Sequence, residues 1–129
     1  MKYLQNTGTV SAVLPWPPSV NQLWRAVNGR NILSKKGREF KGKCNELFNG
    51  CPHKFNNKER LFLTLTIRPP DKRRRDISNL IKAVEDSLPW YEDDSQIDAL
   101  VALRGDVDPD KSGFVLVQCG IYDSKQWEQ

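Results

Sequence analysis

The sequence predicts an α+β fold: one small domain in which a mixed β-sheet carries about two α-helices on one face. Three observations predict it. Leu61, Leu63, Leu65 and Ile67 alternate with Phe62, Thr64 and Thr66, the two-residue period of a half-buried strand. Ile77, Leu80, Ile81, Val84 and Leu88 recur at the spacing of an amphipathic helix, as do Phe40, Cys44, Leu47 and Phe48. Strand-like and helix-like stretches also interleave along 129 residues, a length that suits one domain. That domain is read as 1–129, with a core at about 9–121 and frayed ends.

The elements follow in order. Residues 1–8 carry no strong pattern. Thr9 to Leu14 is β-branched and apolar enough for a strand, which Pro15 stops. Pro15-Trp16-Pro17-Pro18-Ser19 is too rich in proline for a helix or a central strand, so a stiff extended loop is expected. Asn28-Gly29 marks a turn. Ser34 can cap a helix running from Lys35 to about Asn49, which Gly50 closes. Arg60 to Ile67 is the alternating strand, and a helix is predicted from Asp76 or Ile77 to Leu88, ended by Pro89. Ile97 to Leu103 reads as an apolar, central strand and Phe114 to Ile121 as the last one. Joined by a single loop, these two are expected to pair as an antiparallel hairpin. In that loop Asp106, Asp108 and Asp110 resemble a calcium loop, but Lys111 and Val117 occupy the positions that need Gly and Glu.

Composition narrows the function only a little. The formal net charge of +4 suits a polyanion partner but is shared by many ordinary proteins. Three cysteines in unpaired spacing and a single histidine, His53, argue against a zinc site or a disulfide framework. No apolar run reaches the length of a membrane span and no signal peptide opens the chain, so no membrane is expected as a partner and the reduced cell interior is the expected compartment.

The stretch from Arg68 to Asp98 carries the chemistry. Lys72, Arg73, Arg74 and Arg75 can grip phosphates, or form a solvated basic loop. Asp76, Asp93 and Asp94 are hard oxygen donors of the kind Mg²⁺ or Mn²⁺ prefers, or helix-capping acids. Lys82 can stabilise charge that develops in a transition state, or pair with Asp86 on the surface. A thirteen-residue helix is roughly 20 Å long. Asp76 and Asp94 therefore meet only if the chain turns back after Pro89. Further upstream, Asn21 and Arg25 stand with Trp24 in a stretch whose amide, guanidinium and aromatic groups suit nucleic acid, or a plain surface hairpin. Phosphodiester hydrolysis by a metal-dependent nuclease is one reading of these residues. A basic protein that binds RNA or a protein partner is the other.

Two motifs resemble a known family. Arg73-Arg74-Arg75-Asp76-Ile77-Ser78-Asn79-Leu80-Ile81-Lys82-Ala83, then Asp86-Ser87-Leu88 and Asp93-Asp94-Ser95-Gln96-Ile97, look like the RusA family of Holliday-junction resolvases. Leu14-Pro15-Trp16-Pro17-Pro18-Ser19-Val20-Asn21, followed by Trp24-Arg25, is similar to that family's opening motif. The resemblance runs over about residues 10 to 121. It implies a homodimeric endodeoxyribonuclease of bacterial or phage-infected cytoplasm that nicks two opposed strands of four-way junction DNA with Mg²⁺ or Mn²⁺. It carries catalytic roles to Asp76, Asp94 and Lys82 and a DNA contact to Arg75. Ser78 departs from the family pattern, which often has aspartate there. A tolerated variant with water or Asp93 completing the metal's shell, an altered residue that abolishes cleavage, and a junction-binding protein that does not cut all fit that departure.

Overall fold

The computed structural model describes residues 3–6 and 8–127. Five strands form one sheet in the order β1-β2-β7-β5-β6: β1 (Tyr3–Asn6), β2 (Thr9–Pro15), β7 (Phe114–Ile121), β5 (Leu61–Arg68) and β6 (Ile97–Arg104). A separate hairpin pairs β3 (Trp24–Val27) with β4 (Arg30–Leu33). Its two central residues, Asn28 and Gly29, both have positive φ (50° and 75°), the conformation a two-residue hairpin turn needs.

The expected alternation in β5 is present, and it organises the core. Leu61, Leu63, Leu65 and Ile67 are all essentially inaccessible. They sit in cross-strand rows with the buried faces of β7 and β2: Leu63 beside Cys119 beside Val10, Leu65 beside Val117 beside Ala12, Ile67 beside Val115 beside Leu14. The same cluster contains Phe40, Cys44 and Phe48 of helix α2 (Lys35–Leu47) and Leu80, Ala83 and Val84 from the second helical stretch. One sheet face is thus covered by helices. Helix α2 begins as expected, with the Ser34 hydroxyl accepting the Gly37 N–H at 3.0 Å. Burial pushes the thiols of Cys44 and Cys119 up to about 11 and about 12, so neither is a reactive thiolate near neutrality.

Three expectations need correction. The last two strands do not form a hairpin. β6 pairs in parallel with β5, and β7 pairs with β5 on its other side, so β5 lies between them. A parallel partner needs a long crossover, and residues 69–96 with their helices supply it. The loop 105–113 then arches over the end of β5, pinned by Gly105 N–H on the Ile67 carbonyl and Asp108 N–H on the Pro69 carbonyl, both 2.8 Å. Second, β6 is an edge strand rather than a central one. Third, the helix expected to reach Leu88 is shorter and irregular: a 3₁₀ turn over Ile77–Leu80, then α3 over Ile81–Glu85. Ser78 and Asn79 are poor helix formers at its start, and the Ser87 hydroxyl donates to the Ala83 carbonyl at 2.8 Å as Pro89 approaches. Toward the two ends, where fraying was expected, Tyr3–Asn6 pairs with β2 and Ser124–Trp127 form a short helix, α4. The remaining terminal residues, 1–2 and 128–129, lie outside the described residues.

Asp108 explains the acidic loop. Its buried carboxylate accepts N–H groups from Asp110 (3.0 Å), Ser112 (3.3 Å) and Gly113 (2.9 Å), led by the first, which hold its pKa below the usual carboxylate value. A lowered folded pKa means stability that is present above the unfolded value and lost as pH falls through the folded one. Asp108→Ala is therefore expected to lower the thermal midpoint at neutral pH, with the deficit shrinking below about pH 4. Asp110→Ala is the control that should change little.

Candidate active site and basic cleft

The candidate site is built where the chain turns back after α3. Trp90 is fully buried and packs edge-on against Phe48 at 5.4 Å between ring centroids. Its carbonyl accepts the Phe55 N–H at 2.8 Å. That anchor reverses the chain and starts a short 3₁₀ turn, Asp94–Gln96. Gln96 clamps the turn: its amide donates to the carbonyls of Asn56 (3.0 Å) and Glu59 (3.2 Å) and its oxygen accepts from the N–H groups of Glu92 (3.1 Å) and Asp93 (3.3 Å). All four hydrogen-bonding capacities of a buried amide are used.

The turn delivers Asp94 to Lys82. Lys82 Nζ lies 3.2 Å from Asp86 and 3.4 Å from Asp94. Both readings of Lys82 thus describe the same ammonium: it makes the helical i,i+4 pair and also faces the acid beyond the turn. Asp86 first, and Asp94 after it, raise the Lys82 pKa, so the cation persists through neutral and moderately alkaline pH. Glu85 adds a third carboxylate; burial first and the charge of Asp94 next raise its pKa. Asp93 has a structural task. Its side chain accepts the Ser95 N–H at 2.9 Å, which caps the turn and lowers its own pKa.

Other predicted residues line other clefts or lie on the exposed surface. Asp76 is exposed at the start of the Ile77–Leu80 turn, where its side chain makes no capping bond. It opens on a neighbouring cleft of about 310 Å³ shared with Trp16, Gln22, Arg74 and Asn79. Asp94 instead lines a cleft of about 380 Å³ with Glu85, Asp86 and Asp93. Ser78 is exposed on the 3₁₀ turn between.

The basic run divides into two roles. Arg75 is largely covered: it pairs with Asp71 at 2.8 Å and its guanidinium lies 5.4 Å from the Trp16 ring centre. It braces the proline-rich loop against the run, and Arg104 holds its carbonyl at 2.6 Å. Lys72, Arg73 and Arg74 remain exposed. Arg73 and Arg74 line a cleft of about 450 Å³ with Lys36 and Lys43 of α2, beneath Trp16 and Pro17. The cationic face of α2 thus joins the arginine run, a convergence that sequence spacing could not display. Asn21 is exposed on the short helix α1 (Val20–Leu23), which packs on the Ile77–Leu80 turn and α3. Arg25 is exposed on β3 of the hairpin.

Among the described residues, no three His, Cys, Asp or Glu side chains are grouped to hold a metal ion. A closed protein cage is therefore absent there. Mg²⁺ does not need one, because it is commonly held by one or two carboxylates, with waters and substrate phosphates filling the rest. Partly exposed Asp94, with adjacent Asp93, fits that open hard-oxygen chemistry, whereas Ser78 offers only a neutral hydroxyl.

Sequence reasoning missed Gln96, Trp90 and Glu85. Gln96→Ala is expected to destabilise the fold by about 2–3 kcal/mol, because the groups it satisfies lose their partners. Urea unfolding checks this.

A mixed sheet with one helix-covered face, a cationic cleft and an acid-and-lysine cluster place the chain among small α+β proteins suited to acting on a polyanion. Comparison with known proteins supplies the particular family. The family model for Endodeoxyribonuclease RusA matches residues 15–112. The crossover junction endodeoxyribonuclease RusA of Enterobacteria phage HK97 is 34% identical over 96 residues, covering 72% of this chain and 80% of that protein. Its namesake from Escherichia coli K12 is 32% identical over 92 residues, covering 69% and 77%, as is that of Enterobacteria phage 82. The chain belongs to the RusA endodeoxyribonuclease family.

Proposed function

We propose that the protein is a structure-selective endodeoxyribonuclease that resolves four-way (Holliday) junctions by paired symmetric nicks, working as a homodimer with Mg²⁺ or Mn²⁺. The observation that carries this reading is the Lys82–Asp94 approach across the turn, on the residues that match the family motif. The names of the relatives supply the substrate class. No helix among the described residues is long and apolar enough to cross a membrane, and bacterial or phage-infected cytoplasm is the setting proposed for the reaction.

Each group has a task in that reaction. Lys72, Arg73 and Arg74 neutralise phosphates flanking the scissile bond, with Lys36 and Lys43 extending the track. Asn21 and Arg25 add contacts on the side of α1 and the hairpin. Arg75 positions the run and the Trp16 loop, and it lines the same cleft as Arg73 and Arg74, where its charge adds to the DNA contact. Asp76 and Asp94, with Asp93, would supply hard-oxygen ligands to the divalent ion. When bound, the ion polarises the phosphate and supplies a hydroxide nucleophile near neutral pH. Lys82 stabilises negative charge that grows on the phosphoryl oxygens, and its raised pKa keeps it cationic while it does so. Two copies are required because one active site cuts one strand.

Selective retention of a labelled four-way junction over linear duplex of the same sequence, at salt that strips non-specific contacts, is the expected binding result. Equal affinity for both overturns the structure-selective part. Ser78 motivates a second reading, a junction-binding protein that does not cut. Ser78→Asp discriminates: on the first reading the wild-type chain already nicks, and on the second nicking appears only in the variant.

A further inference from the structure

We propose that the homodimer forms by antiparallel pairing of the β6 edge with the β6 edge of a second copy, on a two-fold axis through Val101. This rests on the dimeric nuclease reading and adds its interface.

Strand β6 spans Ile97–Arg104 and pairs only with β5. Among the described residues its outer side makes no backbone hydrogen bond. Exposed edges are commonly blunted by short length, proline, lysine or a covering loop. This one has eight residues and neither proline nor lysine. It leaves Leu100 at 44% and Leu103 at 58% exposure, more than other large apolar side chains of the sheet. The residues between its two charged ends, Ala99, Leu100, Val101, Ala102 and Leu103, are all apolar.

The register follows from strand geometry. Along an edge, alternate residues turn their N–H and C=O groups outward. Opposed residues in an antiparallel pair must both do so or both not. In a self-pairing strand the axis therefore passes through a residue, never between two. With the axis at Val101, Asp98 faces Arg104 of the second copy and Arg104 faces its Asp98. Leu100 meets Ala102, and Ala99 meets Leu103, each large side chain opposite a small one. The two neighbouring permitted registers place Asp98 opposite Ala102 or opposite Asp106, losing the charge match or making a like-charge pair. Both charged ends have intrachain partners already: Asp98 accepts from Arg60 on both oxygens, at 3.1 and 2.7 Å, and Arg104 donates one N–H to the Arg75 carbonyl. A carboxylate and a guanidinium each retain further capacity beyond such bonds.

The test uses the full chain with one added cysteine under mild oxidation, the wild type with its own three cysteines serving as background. Directly opposed Cβ atoms lie about 4.5–5.5 Å apart, within reach of a disulfide after small adjustment. Val101→Cys is expected to give a disulfide-linked dimer about tenfold faster than Leu103→Cys, whose two copies are offset by roughly 13 Å along the strands. Arg104→Asp, which sets a carboxylate against the partner copy's Asp98, is expected to weaken dimerisation about tenfold in sedimentation equilibrium. A dimer that cross-links no faster at 101 than at 103 overturns the proposal, and so does a chain that stays monomeric at high concentration. Junction nicking by the wild type is measured in parallel. Nicking without cross-linking at 101 sinks the interface alone, and cross-linking without nicking sinks the nuclease reading alone.

Discussion

Asp94→Asn is expected to lower junction nicking by about three orders of magnitude, the upper range for removing one electrostatic group from a reaction centre, while junction binding survives. The reasons are local. Asp94 is partly exposed, its pair with Lys82 is a surface ion pair, and such pairs contribute at most about 1 kcal/mol to folding. Asparagine keeps the shape and an oxygen facing the ammonium, and Lys82 still has Asp86 at 3.2 Å. The fold should therefore be untouched, while the carboxylate that can hold a divalent ion is gone. Removing a negative charge beside bound DNA also lessens repulsion of phosphate, so binding should be equal or tighter. Single-turnover nicking and a gel-shift titration separate the two effects. Loss of binding together with nicking would instead make Asp94 a structural residue.

Trp90→Ala has the largest expected effect on stability, about 3–5 kcal/mol by denaturant unfolding. Trp90 is fully buried, and its ring fills the space between Phe48 of α2 and the chain reversal that leads to Asp94. Its truncation opens a cavity beneath the turn, so nicking should fall along with stability. Trp90→Phe should cost much less. The indole N–H has no hydrogen-bond partner among the described residues, so phenylalanine removes an unsatisfied polar atom while keeping most of the ring. If the alanine variant were as stable as the wild type, the account of how the turn is anchored would be wrong.

Local chemistry was readable from the sequence. The β5 alternation, the Ser34 cap and the Asn28-Gly29 turn are each decided by neighbouring residues, and each is present. Pairing between distant segments was not readable. The apolar run of β6 fits a central strand as well as an edge, and only the βαβ crossover decides that it lies beside β5. Proximity in sequence suggested a β6–β7 hairpin, which the pinned 105–113 loop defeats. At the site, the motif pointed to Lys82 and Asp94, and the structure brings those two together. It could not show that Arg75 also pairs with Asp71 and packs by Trp16, because both partners are set by the loop's path. Gln96 was visible inside the motif, but its four partners come from two loops and reveal themselves only in three dimensions. Asp76 keeps an uncommitted carboxylate and lines a different cleft from Asp94, a placement that helix spacing alone could not show.

Incubation of the wild-type chain with a strand-labelled four-way junction, separately in Mg²⁺ and in Mn²⁺, tests the central claim most directly. The account predicts symmetric nicks in two opposed strands in at least one of the metals, and none in chelator. Intact junction binding with no nicks in either metal would contradict it.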